Sequence, residues 1–299
     1  MRRAVGWPGW LDPLKAAWIL GGFALLRLPP WRGYRPPLQA DAGFRLDGGP
    51  QDCTLNAIVF YRGVYEPVLG SLMQRLLGEG DLCVDIGANA GYFTLLAASR
   101  VGASGQVIAV EAAPGNAERI QRNAALNGWS DRIEVAAVAC ADRDGELVLH
   151  VNEANDMHCR LELPQPGEVD WWLVRRRWRP VKVPARRLAT LLGERAAQVR
   201  FIKLDIEGAE AMVVPDILAH CTHEGLCVAL EVKAASLRDT LAPFEQAGFH
   251  AYDLRNDYRW LVNAQPRRAR AIDFRTLYER GRMADVLLAR QPLAPSVLG

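Results

Sequence analysis

The residues best suited to chemistry stand at the ends of short apolar runs. In "LCVDIGANAGYFTLLAAS" (82–99), Asp85, Gly87, Asn89 and Gly91 occupy alternate positions directly after a hydrophobic stretch. Glycine accepts positive φ and lets another backbone come close, and asparagine is one of the few other residues that tolerates that conformation. A helix beginning at Tyr92 would aim its free N–H groups at a bound carboxylate. A dinucleotide turn asks for G-x-G-x-x-G around a pyrophosphate. Here the series opens on an acid, which repels a pyrophosphate and suits an ammonium. S-adenosylmethionine carries an ammonium, a carboxylate and a sulfonium, and meets that demand. Glu111 ends the next run, "QVIAVE", where a carboxylate can accept both ribose hydroxyls; dinucleotide sites use the same device, so Asp85 and Asn89 make the distinction. Taken singly, Asp85 reads as a helix cap and Glu111 as a solvated strand-end acid. Together, at this spacing, they read as a site. Asp142 follows the third run, where an adenine is expected, and also suits the turn "ADRDG". Tyr65 and Glu66, upstream, could close over the cofactor or fix the chain entry.

A second set of acids lies further on. "KLDIEGAE" holds Lys203, Asp205, Glu207 and Glu210, and Glu231 ends "VALEV". Asp205 and Glu207 fall at a strand's carboxyl end. Lys203, two residues earlier, points to the same face and could tune or pair with Asp205. A hydroxyl being alkylated loses a proton, so a general base within hydrogen-bond reach helps. Asp205, Glu207, Lys203 and Glu231 are therefore the catalytic candidates. Three acids at one rim could also hold a divalent cation through oxygen, but no motif assigns metal ligands. Glu210 reads as a helix N-terminal acid favoured by the dipole. The five histidines form no HxxxH or triad pattern; His158, in the inserted loop, is the one to mutate, and it reads as a plain surface histidine.

Something must position these residues. "LCVDI", "QVIAVE", "IEVAAVA", "RFIKLD", "LCVALEV", "YRWLV" and "ADVLLA" alternate with helical segments, which predicts an α/β fold with a mostly parallel sheet covered on both faces. In "PGNAERIQRNAALNG", Pro114 suits the first helical turn and Asn127-Gly128 the stop, while Ala117, Ile120 and Ala124 share one face. Residues 55–292 form the predicted domain. Residues 1–54 read as an extension with a Trp-rich apolar segment and a Pro-rich linker, and 293–299 as a tail. A β-rich excursion at about 146–187 interrupts the rhythm. It carries Trp171, Trp172, Trp178 and a basic run from Arg175 to Arg187, which reads as a hairpin with a solvated face.

Of 299 residues, 50% are hydrophobic, enough for one large core, and the 36 basic and 34 acidic residues balance to +2. That balance gives no reason to expect a polyanion partner. The six cysteines have no metal-ligand spacing and read as buried side chains of a reducing compartment. "AAWILGGFALL" is short of the roughly 20 residues that span a bilayer; in a protein expected to be cytoplasmic it reads as a helix that packs on the domain or on a partner chain, with peripheral membrane contact through residues 1–31 as the alternative.

The segments "YRGVYEP" (61–67), "GDLCVDIGANAGYFTLLAA" (80–98), "GQVIAVEAAPGNAERIQRNAALN" (105–127) and "RFIKLDIEGAEAMVV" (200–214) resemble the FkbM-type family of S-adenosylmethionine-dependent methyltransferases. The resemblance spans most of residues 60–235, with "KLDIEGAE" its most specific block. It implies a class I methyltransferase fold, Rossmann-like with a seven-stranded sheet, and methyl transfer, usually to oxygen. The expected acceptor is a hydroxyl of a sugar, lipid or secondary metabolite, with no nucleic acid partner. Methylation of nitrogen or nucleic acid, or a scaffold that keeps the fold, are the alternatives; the "N/D-P-P-aromatic" turn of amino-methylating enzymes is missing from this sequence.

Overall fold

The computed structural model describes residues 38–49, 54–152, 159–160, 178–255 and 268–298. The Trp-rich segment 1–31, His158, Trp171, Trp172 and the run "YRWLV" lie outside them.

In chain order, a two-stranded hairpin of β1 (Leu38–Gln39) and β2 (Arg45–Leu46) leads into α1 (Thr54–Arg62) and α2 (Pro67–Leu76). Then come β3 (Leu82–Ile86), α3 (Tyr92–Val101), β4 (Gln106–Val110), α4 (Pro114–Asn127), β5 (Ile133–Ala136) and β6 (Ala139–Ala141). The excursion contributes β7 (Gly145–Asn152), β8 (Cys159–Arg160) and β9 (Trp178–Arg187). After it follow α5 (Leu188–Leu192), β10 (Val199–Leu204), α6 (Val214–His220), β11 (Cys227–Val232) and α7 (Leu237–Gln246). The chain closes with β12 (His250–Asp253), β13 (Arg270–Ile272), α8 (Phe274–Arg280), β14 (Ala284–Ala289) and α9 (Pro295–Leu298). No described helix is long and apolar enough to cross a membrane.

The main sheet has the order β13-β12-β14-β11-β10-β3-β4-β5. Its strands β5, β4, β3, β10 and β11 run parallel, and β14 enters antiparallel between β11 and β12. This is the doubly wound arrangement expected, with eight strands among the described residues where seven were expected. Two of the eight, β12 and β13, fall outside the runs read from the sequence, and β13 has three residues with mostly exposed side chains that pair with the edge of β12. So short and polar a segment leaves no period-2 apolar signal. "IEVAAVA" is also two strands: β5 stays in the main sheet, while β6 pairs with β9 in a second sheet of order β6-β9-β7-β8. There β7 and β9 form a long antiparallel ribbon, as the hairpin reading anticipated. Arg187 at its end forms a salt bridge with Asp216 on α6, whose carboxylate also accepts the Ala189 N–H at 3.1 Å.

The sheet's two faces bury separate clusters. Cys83, Ala109, Phe201, Ala229 and Leu287 face one side, with Phe93 and Leu96 of α3. Val84, Ile86, Ile202, Leu204 and Val228 face the other, with Val214, Ile217 and Leu241. Strand alternation makes that division. The same rule places Lys203 and Asp85, register partners, beside Ala109 and Ala229 in one row across the sheet.

The extension reading needs correction. Residues 38–49 are part of the core: Leu38, Phe44 and Leu46 are buried, and Phe44 packs edge-on against Tyr92 with ring centroids 5.2 Å apart. Each such side chain contributes about 1.5–3 kcal/mol, and the surrounding glycines and prolines hid them. The tail is tied back as well. Arg75 donates to the Val297 carbonyl at 2.8 Å, and Leu293 N–H to the Tyr252 hydroxyl at 2.7 Å.

Candidate active site

Parallel strands deliver their carboxyl ends to one rim. Because β14 runs the other way, its first residues arrive there too. Alternation then selects one face, the one that carries Lys203 and Asp85, and two residues further along each strand bring Gly87, Glu111, Asp205 and Glu231 to the rim on that same face.

The turn after β3 is built by conformation. Gly87, Asn89 and Gly91 have φ of 77°, 52° and 88°. At Gly87 the missing Cβ also leaves space for the Asp205 backbone carbonyl, and at Gly91 for the Ile120 side chain, 3.2 Å from where a Cβ would sit. Both glycines thus make room for neighbouring protein. Asp85 is fully buried. Its Oδ2 accepts from the Thr94 hydroxyl at 2.7 Å, while Oδ1 has no hydrogen-bond partner and lies 3.8 Å from the Lys203 ammonium. Burial pushes the Asp85 carboxyl up, against the opposing pull of Lys203 and Thr94.

Glu111 anchors the turn from β4. One carboxylate oxygen accepts the Asn89 N–H at 2.7 Å and the other the Ala113 N–H at 2.8 Å. Burial raises its pKa, and those two N–H groups oppose the rise. Each oxygen keeps a second lone pair for a further donor. The side-chain oxygen of Asn89 is buried without a hydrogen-bond partner. Two orphaned acceptors, Asp85 Oδ1 and Asn89 Oδ1, beside a strand-end carboxylate fit a ligand that brings an ammonium and ribose hydroxyls.

Lys203 sits at the centre, 7% exposed. Its ammonium donates to the Gly87 carbonyl at 3.1 Å and to Asp205 Oδ2 at 3.2 Å, and lies 5.8 Å from the centre of the Phe93 ring. Burial alone would lower its pKa, but Asp205 and Asp85 outweigh burial and hold it above the usual lysine value. It stays an ammonium and cannot act as the base. Asp85 rises although Lys203 also rises, because the lysine's hydrogen bonds go to Asp205 and Gly87 while Asp85 receives only the longer ion pair. The Asp205 side chain is 36% exposed, the group here that meets solvent most openly next to that lysine.

The loop after β10 is clamped from within. Glu207 has φ 59°, its carbonyl accepts from Lys233 Nζ at 2.8 Å, and its carboxylate lies 3.4 Å from the same ammonium. Glu210 is buried, and its Oε1 accepts the N–H groups of Ile206 and Gly208 at 3.1 and 2.9 Å. It fastens this loop, a more specific role than the dipole acid expected from sequence.

Glu231 has a partner that sequence reasoning missed. Asp285, on β14, stands opposite it in register. Burial and then the Asp205 charge raise Glu231; burial and then Glu66 raise Asp285. An acid at the start of an antiparallel run was the available signal. Thr94, which holds Asp85, carried none.

The remaining candidates divide, with the Glu66 charge acting on Lys203 and Asp285 while Tyr92 and Asp142 have other neighbours. Tyr92 is buried in the core between Phe44, Tyr65 and Phe93, its hydroxyl pushed up to about 12 by burial, so its ring is a packing element. Asp142 is exposed beside Arg143 at 3.6 Å, as the turn reading has it. Glu66 has φ 40° just ahead of α2, and Tyr65 packs on Tyr92 and Phe93. Among the described residues no group of three His, Cys, Asp or Glu side chains is arranged to hold a metal ion.

Solved structures similar to this chain include a SAM-dependent O-methyltransferase from Thermotoga maritima, 16% identical, covering 76% of this chain and 65% of that one with a TM-score of 0.40. This chain therefore spans less than two thirds of the Thermotoga protein. An O-methyltransferase from Bacillus cereus in complex with SAH is 13% identical, covering 92% and 90% with a TM-score of 0.36. A precorrin-6y C5,15-methyltransferase from Geobacter metallireducens is 11% identical, covering 74% and 84% with a TM-score of 0.39. No curated protein matches. The family model of the methyltransferase FkbM domain matches residues 85–250, more than half of the chain, from the acid of β3 to the start of β12. The chain belongs to the methyltransferase FkbM domain family.

Proposed function

We propose that the protein methylates a hydroxyl on a sugar, lipid or secondary metabolite. The observation that carries this reading is Asp205: a partly exposed carboxylate at the carboxyl end of β10, 3.2 Å from a buried ammonium and packed through its backbone against Gly87. S-adenosylmethionine supplies an electrophilic methyl group. Asp85 and Asn89 would take its ammonium end, and Glu111 its ribose hydroxyls. Asp205 would accept the proton that the acceptor oxygen gives up as the O–CH3 bond forms and the S–CH3 bond breaks, with S-adenosylhomocysteine as the leaving group. Alignment of two reactants can lower a barrier by roughly 7–11 kcal/mol, so the site's main task is to hold both. A carboxylate base suits a hydroxyl, whose proton must leave, better than an amine, which attacks through a free lone pair.

The test incubates the purified chain with methyl-labelled S-adenosylmethionine and panels of sugars, phenolic metabolites, lipids and amines. Label in an acid- and base-stable methyl ether, lost in Asp205→Asn, is the expected result. Label recovered only on nitrogen, or transfer unchanged in Asp205→Asn, would overturn the reading.

A further inference from the structure

We propose that Lys203 is a positioning residue that fastens the turn of the cofactor side to the acid of the acceptor side, so that the two halves of the site are set as one unit. The inference rests on the cofactor assignment above and goes beyond it, since it concerns how the two halves communicate.

Three features carry it. The Lys203 ammonium makes one hydrogen bond to each half, to the Gly87 carbonyl at 3.1 Å and to Asp205 Oδ2 at 3.2 Å. Gly87 and Asp205 also meet directly, because the missing Cβ at Gly87 is where the Asp205 carbonyl lies. Finally, Lys203 has little freedom to do otherwise. Its neighbours in the sheet row are Ala229 and Asp85, and the Phe93 ring lies 5.8 Å from the ammonium. The charges acting on it are Asp205 and Asp85 on its own and the adjacent strand, Glu66 ahead of α2, and Glu111 at the end of β4. All are acids, so the ammonium is retained while its hydrogen bonds choose Gly87 and Asp205. A lysine so placed touches neither reactant; it fixes where the Asp205 carboxylate stands relative to the turn.

A double-mutant cycle read by calorimetric titration with S-adenosylhomocysteine tests this, because coupled neighbours are non-additive. The proteins are wild type, Asp205→Asn, Lys203→Met and the double variant, each checked by thermal denaturation. Asp205→Asn is expected to weaken binding by about fivefold in wild type and by less than about twofold when Lys203 is already Met. Should Lys203→Met fail to fold, Lys203→Arg serves as the second background. It keeps the charge but presents a planar fork to the Gly87 carbonyl, and the same loss of coupling is expected. A purely structural lysine would lower the melting temperature and leave the two effects on affinity additive. Additive effects, or no effect of Asp205→Asn on wild type, overturn the inference. Absence of binding to wild type removes the cofactor reading, and this inference falls with it. A product methylated on nitrogen overturns only the hydroxyl assignment.

Discussion

Two stretches of the same rim carry the same kind of side chain under opposite electrostatic conditions. At β10, Asp205 lies 3.2 Å from the Lys203 ammonium. At β11 and β14, Glu231 and Asp285 face each other in register, and the other charges acting on Glu231 are further acids, Asp205, Glu207 and Glu66. The strand register makes the difference: Lys203 stands beside Asp85, whereas Glu231 stands beside Asp285. One acid stands beside a cation. The other two share a site where both cannot ionise cheaply, so the pair retains a proton. A strand-end carboxylate acquires its chemistry from whatever the neighbouring strand places opposite it.

The most disruptive way to break the contrast is Gly87→Ala. The new Cβ would collide with the Asp205 carbonyl, at a φ of 77° that alanine adopts poorly. A loss of at least about 4 kcal/mol is expected, at the upper end for single substitutions, read by chemical denaturation. Recovery of wild-type stability would mean that the turn and β10 are not in contact. Next in size, Lys203→Met leaves Asp85 buried without its cation. Removing one partner of a buried pair costs about 3 kcal/mol or more. Asp85→Asn added to it should recover part of the loss, whereas no recovery would show that the lysine's value lies elsewhere.

The cation-poor side makes a pH prediction. Burial, followed by the acidic neighbours, raises the folded-state values of Asp285 and Glu231 to about 8 and about 9. Their unfolded values lie near the ordinary carboxylate range, about 4. The folded state therefore binds more protons than the unfolded state across that interval, and stability falls as pH rises through it. Glu231→Gln and Asp285→Asn should each flatten that decline between pH 5 and 9, roughly in denaturation midpoints taken across the range. A decline of unchanged slope in both variants would contradict the assignment. The smallest effect is expected at Asp142, exposed and facing Arg143: Asp142→Ala should change stability by no more than about 0.5 kcal/mol. Its affinity for S-adenosylhomocysteine decides whether this acid reaches the adenine side at all.

What the sequence made legible follows from strand direction. Asp85, Glu111, Asp205 and Glu231 each end an apolar run, and parallel strands bring such ends to one rim, so these four were readable without coordinates. Asp285 begins its run, and only the antiparallel entry of β14 brings it there. Partners brought together by packing are likewise absent from a one-dimensional pattern, which is why Thr94, reaching Asp85 from α3, and Asp285, opposite Glu231 on β14, went unseen. Tyr92 stood next to the glycine turn and read as a ligand contact, yet Phe44, from a segment that read as linker, claims its ring for the core. Gly91 read as room for another backbone to come close, and what comes close is the side chain of Ile120 on α4.

The most direct test of the central claim is calorimetric titration of the purified chain with S-adenosylhomocysteine, NAD serving as control, beside Glu111→Ala verified as folded by its thermal melt. Binding on the order of micromolar Kd in wild type, lost in the variant and absent for NAD, is the predicted result. No binding to wild type, or equal affinity in wild type and Glu111→Ala, would contradict the account of this rim as a cofactor site.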